Sequence, residues 1–142
     1  MKTKFSLLAF FFTLCSFAQT EEKAITETLN NYINGSSYND PELIQSAFYE
    51  EADLYLSKKD QEIWVLSPKE YGDLFSNRKK GKFNGRVGKV LAIDYENNIA
   101  SAKAEIVIAS QKMTYIDIFL LKKISGKWKI ISKAATLKTD EN

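Results

Sequence analysis

The chain has 142 residues, with 20 Lys and Arg against 18 Asp and Glu, no histidine and a single cysteine. Histidine general bases and histidine metal sites are therefore excluded by composition, and the near-even charge gives no global electrostatic case for nucleic acid. The length suffices for one domain with one good core.

Met1-Lys2-Thr3-Lys4 gives a basic start, and Phe5 to Cys15 is an apolar run too short for a stop-transfer helix, which needs roughly 20 apolar residues. Small residues at Ser16 and Ala18 precede polar Gln19-Thr20-Glu21-Glu22, so residues 1–18 read as a signal peptide and 19–142 as a single domain. Leu14 before Cys15 does not suit a lipoprotein site. The expectation is an exported protein, periplasmic or extracellular, with no stable membrane insertion after cleavage. Removal of Lys2 and Lys4 leaves 18 basic and 18 acidic residues and no cysteine, which excludes thiol nucleophiles and leaves stability to the core rather than to disulfides.

In the mature chain, Ala24, Ile25, Leu29, Tyr32 and Ile33 recur at helical spacing from Glu21 to Asn34, with Thr20 as the cap and Gly35 as the stop. Asp40-Pro41 caps and opens a short second helix that ends near Tyr49, with Leu43, Ile44, Ala47 and Phe48 on one face. Ala52 to Ser57 and Gln61 to Leu66 read as short strands joined by Lys58-Lys59-Asp60. Ser67-Pro68-Lys69-Glu70 begins a third helix carrying Tyr71, Leu74 and Phe75, and Asn77 to Gly85 is a loop. Arg86 to Tyr95, Ile99 to Ala109, Met113 to Lys123 and Lys127 to Leu137 are four strands, with turns at Asn97-Asn98, Ser110-Gln111 and Ser125-Gly126. Three helices followed by a meander predict an α+β domain with the helices on one face of a bent antiparallel sheet.

Tyr32-Ile-Asn-Gly35 with Asp40, Ile44, Ala47-Phe48 and Ala52-Asp53-Leu54 resembles the opening of nuclear transport factor 2-like (cystatin-like) domains. Within that superfamily it is most similar to a group of small exported proteins named for lumazine binding. Asp117-Ile-Phe-Leu-Leu-Lys122 and Gly126-Lys-Trp128-Lys-Ile130-Ile131 resemble that group's last hairpin. The resemblance implies a cone-shaped fold, a curved sheet wrapped around three helices, an interior pocket, and frequent dimerisation through the outer sheet face. Isomerases, cyclases and noncatalytic binding domains share this fold, so it implies no single reaction. Relatives with a histidine after the second helix find no counterpart in Phe48-Tyr49-Glu50-Glu51-Ala52-Asp53.

An enzyme of this shape needs a pocket carboxylate as base and tyrosine or tryptophan donors opposite it. The candidates for the base are Asp117 and Asp53. Asp117 shares a strand face with Tyr115 and Phe119. That face either lines the pocket, with Asp117 desolvated, or is the outer one, with Asp117 paired to a cross-strand lysine. Asp53 stands at a strand entrance, where aspartate commonly bonds local backbone. Tyr32, Tyr55, Trp64, Tyr115 and Asp117 are the candidate ligand contacts, and the aromatic ones serve equally as core. Arg78-Lys79-Lys80-Gly81-Lys82, with Arg86 soon after, reads as a solvated basic loop. No metal or cofactor is expected. The leading expectation is an exported domain that binds a small apolar or aromatic ligand. The alternatives are an isomerase- or cyclase-like enzyme and a homodimeric interaction module that docks through the apolar surface of its sheet.

Overall fold

The computed structural model describes residues 5–58 and 60–138, with side chains described from residue 20 onward. The expected signal peptide, residues 1–18, lies outside the residues whose side chains are described, as does the turn residue Lys59. Among the described residues no helix is long and apolar enough to cross a membrane.

Helix α1, Phe5–Ser37, presents Ile25, Leu29, Tyr32 and Ile33 as a buried stripe at helical spacing. The helix does not stop at Gly35, as the residue type suggests, but continues two residues further. Gly35 is where the next helix crosses: a Cβ there would lie 2.7 Å from the Ile44 backbone nitrogen. Helix α2, Pro41–Ala47, is capped by Asp40, whose side chain accepts from the Leu43 amide at 3.1 Å. It ends before Tyr49, because Phe48 is already extended and opens strand β1, Phe48–Lys58. Strand β2 is Gln61–Leu66. Helix α3, Pro68–Asp73, carries a reciprocal capping box between Ser67 and Glu70.

The meander consists of β3 (Arg86–Glu96), β4 (Ile99–Ile108), β5 (Met113–Ile124) and β6 (Lys127–Leu137). Positive φ at Asn97, and at Ser125 and Gly126, makes two of its turns tight. The third differs from the expected Ser110-Gln111 turn: a 3-10 turn over Ala109–Gln111 returns the chain through a left-handed Lys112. The six strands run in the order β2-β1-β6-β5-β4-β3. All pairs are antiparallel except β1 with β6. That parallel pair departs from the antiparallel sheet expected, because β1 leaves the helical half of the chain in the same direction as the last strand of the meander. The register shifts at Val90/Ala92 and at Leu120/Leu121, each of which bends its strand.

Register separates the two faces of the sheet. On one face Ala102, Phe119, Lys133, Leu54 and Leu66 stand side by side across β4, β5, β6, β1 and β2, and all five are buried. The helices cover this face. Helix α1 comes close at Gly88, where a Cβ would meet Ile33 at 2.6 Å. On the opposite face Lys103, Ile118, Ala134, Tyr55 and Val65 form the corresponding row, and Ile118, Tyr55 and Val65 are exposed.

Candidate functional site

Asp117 lies on the helix-covered face of β5, between Ala104 of β4 and Ala135 of β6. Two small neighbours leave space above the carboxylate for side chains that arrive from the helices. Tyr32 fills part of it from α1 and donates its hydroxyl to Asp117 Oδ2 at 2.7 Å. Lys133, two residue pairs along β6 on the same face, reaches the same oxygen at 3.2 Å. Tyr32, Asp117 and Lys133 are 0%, 1% and 2% exposed, so the ion pair is isolated from water. Buried charges need such a full set of partners, since taking two ions out of water costs several kcal/mol per ion. The lysine also sits 5.4 Å from the ring centres of both Tyr32 and Tyr71, within cation–π range.

Helix α3 delivers Tyr71, whose hydroxyl lies 3.2 Å from that of Tyr32. Arg86, the first residue of β3, extends the network outward: its Nη2 donates to the Tyr71 hydroxyl at 3.5 Å, and its guanidinium lies 5.8 Å from the Phe75 ring. The chain of groups is thus Lys133, Asp117, Tyr32, Tyr71, Arg86. It runs from the buried centre of the sheet to the half-buried start of β3. Burial, followed by the negative charge of Asp117, pushes the Tyr32 hydroxyl well above the ordinary tyrosine pKa of 10.0. Arg86 is held above its ordinary value although burial opposes its charge, because Tyr71, Tyr32 and Asp117 favour the cation.

Among the sequence candidates the structure brings Tyr32 and Asp117 into direct contact. Tyr115 lies on the same strand face as Asp117, is half-buried, and donates to Met113 Sδ at 3.5 Å. Trp64 packs against the core from β2, with Lys58 Nζ 4.6 Å from its ring centre. Tyr55 and Asp53 are on the opposite face, where the Tyr55 hydroxyl meets Asp53 Oδ2 at 3.4 Å in the open, and are not brought to the cluster. The two readings of Asp117 are each half realised, since it is buried beneath the helices and is also paired with a lysine of the neighbouring strand.

Arg86, Lys133 and Tyr71 were not among the candidates. Arg86 reads in sequence as part of the basic loop, yet it is the residue that leaves that loop for the interior. The loop itself is fastened to the α1–α2 junction: Lys80 pairs with Asp40 at 3.0 Å and with Glu42, and the Asn39 amide donates to the carbonyls of Lys79 and Lys82. Lys133 carries a signal only in retrospect, as a cation between Ser132 and Ala134-Ala135 in the second half of the last strand.

An apolar interior pocket was expected, but the interior at this place is a network of charged and phenolic side chains. A separate groove of about 460 Å³ lies towards the β3–β4 turn, lined by residues that include Tyr95, Ile99, Leu120 and Ile131. None of its lining residues belongs to the cluster. Among the described residues no group of three or more acidic, cysteine or histidine side chains could hold a metal ion.

Comparison with known proteins bears on the fold first. The chain is similar to a solved nuclear transport factor 2-like protein of unknown function from Shewanella baltica, at 24% identity over 85% of this chain and 96% of that one, with a TM-score of 0.73. It is also similar to one from Methylobacillus flagellatus, at 26% identity over 84% and 94% of the two chains and a TM-score of 0.72. A domain with a cystatin-like fold from Nostoc punctiforme matches at 20% identity over 84% and 78%, with a TM-score of 0.66. No curated protein matches the sequence. The model of the family described as "Putative lumazine-binding" matches residues 20–134. With nearly all of the domain inside that match, the chain belongs to this lumazine-binding family, on the nuclear transport factor 2-like fold.

Proposed function

We propose that the protein is an exported, noncatalytic domain that binds a small molecule against the helix-covered face of its sheet, at the end where Arg86, Tyr71 and Tyr115 lie. The observation that carries this reading is the polar network itself. A domain of this size is stabilised at least as well by apolar side chains as by a buried lysine, aspartate and arginine, so charges kept at such cost point to recognition rather than packing. The family's description agrees in pointing to a small ligand. The test is the mass of the protein under non-denaturing conditions after gentle isolation from the medium or periplasm of its host. A small adduct that is lost on denaturation is expected. A bare polypeptide that also fails to take up lumazine, or any member of a small-molecule panel, in a titration followed by tyrosine and tryptophan fluorescence would end the reading.

The contact between Tyr32 and Asp117 favours a second reading, in which the pair serves as acid and base in an isomerase- or cyclase-like reaction. In the ligand-binding reading Asp117 is engaged by two donors and its role is to hold Tyr32 and Lys133 in place. Turnover of a bound compound that vanishes in Asp117→Asn while its binding persists would establish the enzyme instead.

The same proposal covers export and assembly. Cleavage after Ala18 predicts a secreted form whose first residue is Gln19, checked by the intact mass of the exported protein. The exposed row of Ile118, Ala134, Tyr55 and Val65, with Leu120 beside it, favours a homodimer through the outer face of the sheet. Sedimentation at high micromolar concentration tests it, with a monomer as the contrary result.

A further inference from the structure

The network does not balance in charge or in hydrogen bonds. Lys133 and Asp117 form a pair, which leaves the Arg86 guanidinium as a further cation in the same cluster. Among the described residues Arg86 makes no ion pair. Its Nε is buried and has no hydrogen-bond partner, its contact to the Tyr71 hydroxyl is long at 3.5 Å, and the only other polar side chain that favours it by a hydrogen bond is the Tyr32 hydroxyl, already committed to Asp117. A guanidinium offers five donors in a planar fork, and buried donors without acceptors are costly. Apolar and aromatic side chains also flank Arg86, beside Asn84, whose Oδ1 accepts from the Arg86 backbone amide at 3.0 Å. Phe75 lies against it, and Ile108 pairs with it on β4; Ile108 in turn pairs with Met113, two residue pairs from Ile106 and Tyr115 on the same face.

We infer that Arg86 is the anchor for an anionic ligand, specifically a small carboxylic acid with an apolar or aromatic body. The inference rests on the ligand-binding reading above and names the ligand's class. A carboxylate is planar, accepts two parallel N–H bonds from an arginine fork, and carries the single negative charge that the cluster lacks. The Tyr71 hydroxyl, already beside the fork, supplies a further donor. The apolar body then rests on the partly buried side chains of Ile108, Met113 and Tyr115. Lys133 and Asp117 do not touch the ligand. They fix Tyr32, which places the Tyr71 hydroxyl.

The chain has two arginines, Arg78 and Arg86, so a nitrogen-15 spectrum of arginine Nε–H groups contains a built-in control. The probes are benzoate, its neutral isostere benzamide, and inorganic phosphate, each titrated into the full protein. Benzoate is expected to move the Arg86 resonance and leave that of Arg78 in place. Benzamide is expected to bind at least about tenfold more weakly, as is benzoate to Arg86→Gln, because one charge-assisted bond is worth a factor of that size. If Arg86→Gln does not fold, the two resonances of the unaltered protein still decide. Equal binding of benzamide and benzoate would overturn the anionic class while leaving ligand binding intact. Movement with phosphate alone would overturn the carboxylate in favour of a phosphoryl group. An Arg86 resonance unmoved by all three probes would overturn the inference, and the ligand-binding reading falls with it only if the fluorescence titration is silent as well.

Discussion

The hydroxyl of Tyr32 and the carboxylate of Asp117, 85 positions apart in sequence, meet at 2.7 Å inside the protein. One comes from the first helix and the other from the middle of the fifth strand, so this bond ties the helical layer to the sheet where neither is accessible to water. Tyr32→Phe keeps the ring, which packs edge-on to Phe48 and Phe119, and removes only the donor. The expected loss is about 1–3 kcal/mol of stability, because a buried carboxylate loses one of its two donors; urea unfolding measures it.

Lys133 and Asp117 form a pair whose members are worth more together than apart. Lys133→Met is expected to destabilise by about 3–5 kcal/mol, since it leaves a buried carboxylate without its counter-charge. Combining it with Asp117→Leu should return most of that loss. A double-mutant cycle by urea unfolding reports the coupling, and additive losses would show that the two residues do not act as a pair.

Alkaline pH gives a second reading of the same cluster. Tyr32 has its pKa raised in the folded state, so above the ordinary value of 10.0 the unfolded chain gives up that proton while the folded chain keeps it. Its contribution is therefore fully present below pH 10 and is lost as pH rises towards the folded value. Melting temperature should fall more steeply with pH above about 10 in the unaltered protein than in Tyr32→Phe. Parallel curves would be the contrary result.

Two glycines act through space rather than through backbone freedom. Gly35→Ala places a methyl group 2.7 Å from the Ile44 nitrogen, and Gly88→Ala places one 2.6 Å from Ile33 Cγ2. For Gly35 the helix preference for alanine, up to about 1 kcal/mol, works in the opposite direction. Overpacking is expected to win at both positions, with net losses of about 1–3 kcal/mol in thermal or urea unfolding. A stabilised Gly35→Ala would show that the α1–α2 crossing can open at little cost.

Much of the architecture was legible in the chain. Alternation of apolar and polar residues marks the four meander strands to within a residue or two, because a side-chain period of two is a local property. Ser67-Pro68-Lys69-Glu70 announces α3 for a similar reason, since a capping box closes within four residues. The errors came where a distant element decides. Gly35 looks like a helix stop until Ile44 is seen to cross it, and β1 looks antiparallel until β6 lies beside it.

Composition and local pattern by themselves determined that the chain has no imidazole chemistry and, from residue 19 onward, no thiol, that its fold is α+β, and that Asp117 shares a face with Phe119. Only the tertiary structure decided that this face lies beneath the helices, that Lys133 and Tyr32 meet on one carboxylate oxygen, and that Arg86 leaves the basic loop to join them. A strand's two faces are hard to tell apart in sequence when both carry large apolar side chains, as they do in β5 with Phe119 and Leu121 on one and Ile116, Ile118 and Leu120 on the other. The choice between them is made by the helices that pack on one side, and those contacts join residues up to 107 positions apart.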